Sequence, residues 1–309
     1  MEHKPSFRTT PPIINDGGYF RIVSPAGPIN REMLDRGIKA IEKLGFTVSC
    51  GPHVYDKIEY LAGNDKDRAS DLVDALTDPK VDGVICSRGG YGSGRLLSKI
   101  PWEELKHIPP KPFLGFSDIG ALMLNLWAKS GWITYSAPQA AMGFGDNLPT
   151  ATLEHLLGLI QGREQKLVWK NARKIQLQPV RSGAAAGIII PCCLSILTSL
   201  AGTPWMPDLS GCVVCLEDLN EPPYRVDRML WQLQQARAFD GVAGVLLGHF
   251  LWDDGDISEQ VGAVIADLTA KDNFPIWRTI PFGHVDERMT VPVGIPVSVS
   301  QNGEFDWSI

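Results

Sequence analysis

The sequence predicts an α/β protein built on a parallel sheet with helices on both faces. Strand and amphipathic-helix signals alternate from Tyr19 to Tyr135, and their connections are short, as parallel crossover units require. The chain has 309 residues, 44% hydrophobic and 21% charged. That is enough for two domains, each with its own core.

The elements follow in order. Tyr19–Val23 reads as a strand ending in the turn Ser24-Pro25-Ala26-Gly27-Pro28. A helix follows with Leu34, Ile38 and Ile41 on one face, then a second strand, Phe46–Ser49. Ala69, Leu72, Val73 and Leu76 stripe the next helix, and Val81–Cys86 is the third strand. A glycine loop, Ser87-Arg88-Gly89-Gly90-Tyr91-Gly92-Ser93-Gly94-Arg95, leads on to the strand Lys111–Phe116. The helix after it carries Ile119, Leu122, Met123 and Leu126 at i, i+3, i+4 and i+7, and Trp132–Tyr135 is the last strand of this half. Functional loops of such a sheet collect at the C-terminal ends of its strands. The glycine loop and Ser117 both fall there.

From Met142 to Arg181 the pattern changes, with one helix over Thr152–Ile160 and a polar stretch, Gln161–Lys174. The expected division is an N-terminal domain over 1–150, a connection over 151–180 and a C-terminal domain over 181–309. Strand signals in the second half lie at Gly187–Ile190, Val213–Leu216, Val242–Leu247 and Val291–Ser300. Its clearest helix carries Val226, Met229, Leu230 and Leu233.

Composition excludes several classes. Twenty-nine Lys and Arg against 35 Asp and Glu give a net charge of −6, with no basic run to bind nucleic acid or an anionic membrane. No window approaches the ~18 apolar residues of a membrane span. Met1–Asp16 lacks the apolar core of a secretory signal, so the expected location is the cytoplasm. Six cysteines offer only Cys192-Cys193 and Cys212-x-x-Cys215 as close pairs. Adjacent cysteines make a poor zinc knuckle, and residues three apart on a strand point to opposite faces. Buried free thiols are expected, and no metal.

Ser117, in Gly115-Phe116-Ser117-Asp118, stands at a strand-to-helix corner, where the helix N-terminus supplies free N–H groups. Two readings stay open: a helix N-cap, or a nucleophile pushed outward by the turn. The glycine loop matches neither phosphate-binding pattern. Arg95-Leu96 replaces the Lys-Ser/Thr of a P-loop, and the third glycine of the dinucleotide fingerprint is missing. Further along, Glu217-Asp218 follows a buried strand, and His284 lies in a loop before the last strands. A hydroxyl, an imidazole and a carboxylate are the parts of a serine-hydrolase triad. Five other histidines compete with His284, at positions 3, 53, 107, 155 and 249. His249 with Asp253, Asp254 and Asp256 reads as a solvated acidic turn.

Six segments together resemble the LD-carboxypeptidase family of serine peptidases, also called murein tetrapeptide carboxypeptidases. In order they are Ser24–Pro28; Arg88-Gly89-Gly90-Tyr91-Gly92; Gly115–Asp118; Gly202-Thr203-Pro204-Trp205-Met206-Pro207; Leu216-Glu217-Asp218 with Tyr224–Leu230; and Phe282-Gly283-His284. The resemblance implies an N-terminal domain like class I glutamine amidotransferases and a smaller, β-rich C-terminal domain. It implies a Ser–His–Glu triad of Ser117, His284 and Glu217, with an oxyanion hole from the N–H groups of Gly90 and Asp118. It also implies release of terminal D-alanine from cytoplasmic murein tetrapeptide in cell-wall recycling, without a cofactor, by a homodimer. A cation is needed for the substrate's terminal carboxylate, and Arg88, Arg225 and Arg288 are the candidates.

The chain departs from the family pattern at Ser136-Ala137-Pro138, usually His-Gly-Pro, and at Pro191-Cys192-Cys193-Leu194, usually Gly-Gly-Asn-Leu. Neither replaces a member of the implied triad. One alternative is a related hydrolase of peptidyl- or aminoacyl-nucleotide conjugates, of the microcin C immunity type. Another is a non-catalytic, two-lobed ligand-binding protein.

Overall fold

Strand β1 (Tyr19–Val23) starts the first sheet because Phe20, Ile22 and Val23 bury their side chains almost completely. The computed structural model describes residues 9–163, 175–253 and 255–307. It divides into two compact units, 3–163 and 164–309.

In the first unit, β1 is followed by α1 (Arg31–Lys43), β2 (Thr47–Cys50), α2 (Asp65–Thr77) and β3 (Gly83–Cys86). The side chains of Asn30 and Asn64 accept from the N–H groups of Met33 and Asp67, so both helices have side-chain N-caps. A 3₁₀ segment at Ser93–Lys99 and the short helix α3 (Trp102–Leu105) precede β4 (Phe113–Gly115). A 3₁₀ turn at Ser117–Ile119 then opens α4 (Gly120–Ser130), and β5 (Thr134–Ser136) and α5 (Thr150–Ile160) follow. These strands lie in the order β5-β4-β3-β1-β2, each parallel to its neighbour. Register aligns Val23 with Cys86 and Ile85 with Leu114. The turn after β1, the glycine loop after β3 and Ser117 after β4 therefore share one edge of the sheet.

The second unit holds a mixed sheet. Its elements are β6 (Ile175–Gln176), β7 (Gln178–Arg181), β8 (Ala185–Cys193), α6 (Leu194–Leu200), β9 (Cys212–Leu219), α7 (Pro223–Gln235), β10 (Gly244–Trp252), β11 (Gly255–Asp256), α8 (Ser258–Leu268), β12 (Ile276–Arg278), β13 (Val291–Val293), β14 (Pro296–Val299) and β15 (Glu304–Trp307). The order is β6-β15-β14-β8-β9-β10-β12-β7, with β11 on β10. The central four, β8, β9, β10 and β12, are parallel, and antiparallel strands flank them. β13 runs into Gly294 and Ile295, which exchange backbone hydrogen bonds with Ile189 of β8.

The expected α/β architecture is therefore present. Within the expected connection 151–180, α5 packs its Leu156, Leu159 and Ile160 into the core of the first unit. Residues 175–180 begin the second sheet, and residues 164–174, with most of the expected polar stretch, lie outside the described residues. The sequence reading missed α8, β12 and β15. Glu217 and Asp218 lie inside β9 instead of beyond it, because the buried run extends through both carboxylates. All six cysteines are free, five buried and Cys50 half-buried. Among the described residues no helix is long and apolar enough to cross a membrane.

Burial of His155 on α5 pushes its imidazole down to about 4. The folded chain thus binds fewer protons than the unfolded one between the unfolded value near 6.5 and about 4. Stability from this group is complete above pH 6.5 and is lost as pH falls toward 4, by on the order of 3 kcal/mol. Urea unfolding of the wild type should weaken between pH 7 and 4.5 more steeply than that of His155→Gln. Parallel curves would contradict this assignment.

Candidate active site

Ser117 is the first residue of the 3₁₀ turn after β4, and its backbone is left-handed, with φ at 61°. A non-glycine residue holds that conformation only where its surroundings over-determine it. Phe116 stands at the N-cap of this turn and Ile119 at that of α4, so Ser117 occupies neither cap position and the N-cap reading is not what the corner displays. The residue is half-buried, while Phe116 and Asp118 on either side are buried.

The glycine loop is pressed against this corner. A Cβ on Gly89 would stand 2.8 Å from the Cβ and 3.1 Å from the Oγ of Ser117, so only glycine fits. Gly90 is left-handed, at φ 109°. The loop is tied from four directions. The Gln139 amide donates to the Phe116 carbonyl (3.1 Å) and accepts from the Gly89 N–H (3.2 Å). The Gly27 N–H donates to the Gly89 carbonyl at 3.1 Å, which docks the Ser24–Pro28 turn on the loop. Ser24 and Ser87 share a hydroxyl hydrogen bond of 2.7 Å. The buried Arg68 guanidinium reaches the carbonyls of Pro25 and Gly92 and the carboxylate of Asp65.

Asp118 contributes through both backbone and side chain. Its carboxylate accepts the Ser93 N–H at 2.8 Å and is raised above its usual range by burial. Among the described residues no backbone hydrogen bond uses the N–H of Gly90 or of Asp118. Arg88 is half-buried beside the loop, and its guanidinium donates to the carbonyls of Gly89 and Pro28. Gln139 and Arg68 were missed by sequence reasoning, because each works largely through distant backbone groups and neither belongs to a local motif.

The second unit carries a different cluster. Glu217 on β9 is fully buried, and its Oε2 accepts from Nδ1 of His284 at 2.8 Å and from the His284 backbone N–H at 3.2 Å. Its other oxygen, Oε1, accepts from the Cys193 thiol at 2.7 Å. Cys193 ends β8 and lies in register with Glu217. Asp218 points the other way, accepting the N–H groups of Ser195 (2.7 Å) and Leu219 (2.9 Å). Burial pushes Asp218 up to about 6. One residue of strand alternation thus gives two adjacent carboxylates separate tasks.

The loop holding His284 fits because β10 carries an irregularity between Leu247 and Phe250 and a glycine within it. A Cβ on Gly248 would sit 2.2 Å from the Phe282 carbonyl. With none there, the His249 N–H donates to that carbonyl at 2.9 Å. Arg288 donates to the Val285 carbonyl at 3.0 Å, and burial lowers it while Glu217 and Asp286 raise it. Arg225 is exposed on α7 and paired with Glu221 at 3.1 Å. His249 pairs with Asp256 at 2.7 Å. Asp254 lies outside the described residues.

Cys193, Glu217 and His284 place donor atoms within 4.8 Å of one another, as do His53, Asp56 and Asp67. Burial and the Glu217 charge push the Cys193 thiol well up, so it acts as a proton donor to the carboxylate. Chemically, an imidazole whose Nδ1 is committed to a buried carboxylate carries its basic lone pair on Nε2. That is the form a general base needs.

Residues 20–137 match the LD-carboxypeptidase N-terminal domain family, and residues 186–299 match the LD-carboxypeptidase C-terminal domain family. The probable murein peptide carboxypeptidase of Bacillus subtilis is 30% identical, over 96% of this chain and 92% of its own. The muramoyltetrapeptide carboxypeptidase of Oxalobacter formigenes superposes with a TM-score of 0.81 at 29% identity, covering 93% of this chain and 97% of its own. The microcin C7 self-immunity protein MccF, known in Escherichia coli, superposes at 0.86 with 22% identity, covering 97% of this chain and 98% of its own. That last likeness is one of fold. With both halves matched in order, this chain belongs to the LD-carboxypeptidase family.

Proposed function

We propose that the protein is a serine LD-carboxypeptidase that removes terminal D-alanine from murein tetrapeptide, with Ser117 as nucleophile and His284 and Glu217 as base and orienting carboxylate. The observation that carries this reading is the 2.8 Å contact from Nδ1 of His284 to the buried Oε2 of Glu217. It fixes the imidazole tautomer for a reaction at Nε2. Support from the other unit is the left-handed Ser117, at neither helix cap position, beneath a loop that admits only glycine at position 89. The names of the Bacillus and Oxalobacter relatives supply the substrate class.

In this mechanism His284 takes the Ser117 proton as Oγ attacks the carbonyl of the L-D bond. The tetrahedral oxyanion is held by the N–H groups of Gly90 and Asp118. D-Alanine leaves with the proton from His284, and water then hydrolyses the acyl-enzyme as His284 takes up its proton and returns it to Ser117. A terminal carboxylate calls for a cation. Arg88 beside the glycine loop, Arg288 in the segment after His284 and Arg225 on α7 are the candidates. The reading extends to a homodimer in the cytoplasm acting on recycled cell-wall peptides.

Incubation with a disaccharide-free murein tetrapeptide, followed by mass spectrometry, should show loss of one D-alanine. Ser117→Ala should reduce turnover by roughly 10⁴-fold. Hydrolysis of an aminoacyl-sulfamoyl adenosine with the tetrapeptide left intact would overturn the substrate assignment. Gly89→Ala should slow cleavage by about 100-fold, since its Cβ would displace the serine from its attacking position. Undiminished turnover in that variant would contradict the close packing of loop on corner.

A further inference from the structure

The thiol of Cys193 is a buried polar group outside the proposed triad, and it sits on the triad's carboxylate. Cys193 and Glu217 are register partners at the C-terminal ends of adjacent parallel strands. A carboxylate turns about a broad, two-fold final torsion. Nδ1 and the backbone N–H of His284 are both on Oε2, so the histidine loop alone restrains that torsion unless a donor from another element holds Oε1. The Cys193 thiol donates to Oε1 at 2.7 Å, and its sulfur lies within 4.8 Å of a ring nitrogen of His284. Asp218, the neighbouring carboxylate, is occupied with Ser195 and Leu219 and does not compete for the thiol.

We propose that Cys193 is a positioning residue, whose S–H holds Oε1 of Glu217 so that Oε2 faces Nδ1 of His284. The inference rests on the assignment of Glu217 and His284 to the catalytic machinery, and it adds to that assignment the group that orients the carboxylate. A thiol is a weak donor, but to a buried charge it acts without competition from water. Cys193 also opens α6 and is packed among buried neighbours. A purely space-filling role is therefore the rival to be tested.

Three variants separate the two. Cys193→Ser keeps a donor, Cys193→Val fills the volume without one, and Cys193→Ala provides neither. The first readout is the low-field Nδ1 proton resonance of His284, assigned by its disappearance in Glu217→Gln and measured in the intact chain. The resonance should persist in Cys193→Ser and shift, or vanish by exchange, in both the Val and Ala variants. The second readout is tetrapeptide cleavage. Loss of the donor should lower kcat by about tenfold with KM changed less than about twofold, and serine should recover most of the loss. An unchanged resonance and kcat in the Val and Ala variants would overturn the proposal. So would a serine variant as impaired as alanine, which would assign Cys193 to packing. Should the alanine variant fail to fold, the Val and Ser pair decides alone. Should the wild type not cleave tetrapeptide, the proposed function fails while the resonance still tests the hold on Glu217.

Discussion

A fully buried carboxylate is the constraint around which the second unit is arranged. Taking Glu217 out of water is costly unless donors replace the solvent. Three do so: the Cys193 thiol on one oxygen, and the imidazole and backbone N–H of His284 on the other. These donors come from two different pieces of the fold. Cys193 comes from the strand beside β9, and His284 from the loop after β12. That loop can approach only because Gly248 and the irregularity in β10 leave room for the Phe282 carbonyl. The imidazole's tautomer is thus a property of the whole sheet.

The first unit solves a different problem, that of holding a half-buried hydroxyl at a strained corner. A left-handed serine is disfavoured on its own, so the surroundings must hold it. Gln139 clamps Phe116 and Gly89 together, and the Ser24–Pro28 turn braces the loop from behind. Arg68 and Asp118 fix the far end at Gly92 and Ser93. The parallel sheet makes this possible by delivering three loops to one edge. The two units therefore contribute different kinds of preorganisation, backbone strain in one and a fixed proton position in the other.

Much of this was legible in the sequence. Helix stripes at Leu34, Ile38 and Ile41, and at Leu122, Met123 and Leu126, locate α1 and α4 because amphipathic spacing reports burial directly. The pairing of Glu217 with His284 could not be derived from spacing, since 67 residues separate them. The ordered family motifs pointed to it. Sequence separation, here 24 residues, also hid Cys193, which reads as one more buried thiol until strand register sets it beside Glu217. Gln139 and Arg68 were illegible for a related reason: they bind carbonyl and N–H groups, which leave no trace in side-chain patterns. Glu217 was placed beyond its strand because a carboxylate ordinarily ends a buried run. Here the run continues, and its interior position is what gives the residue its role.

The central claim is that Ser117 and His284 act in one proton-transfer unit, and comparison of single and double variants tests it most directly. Ser117→Ala, His284→Ala and the combined variant would be compared for the rate of D-alanine release from tetrapeptide. The account expects each single substitution to cost about as much as both together, as for catalytic groups that work as a unit. Losses that multiply in the double variant would show independent action and contradict it.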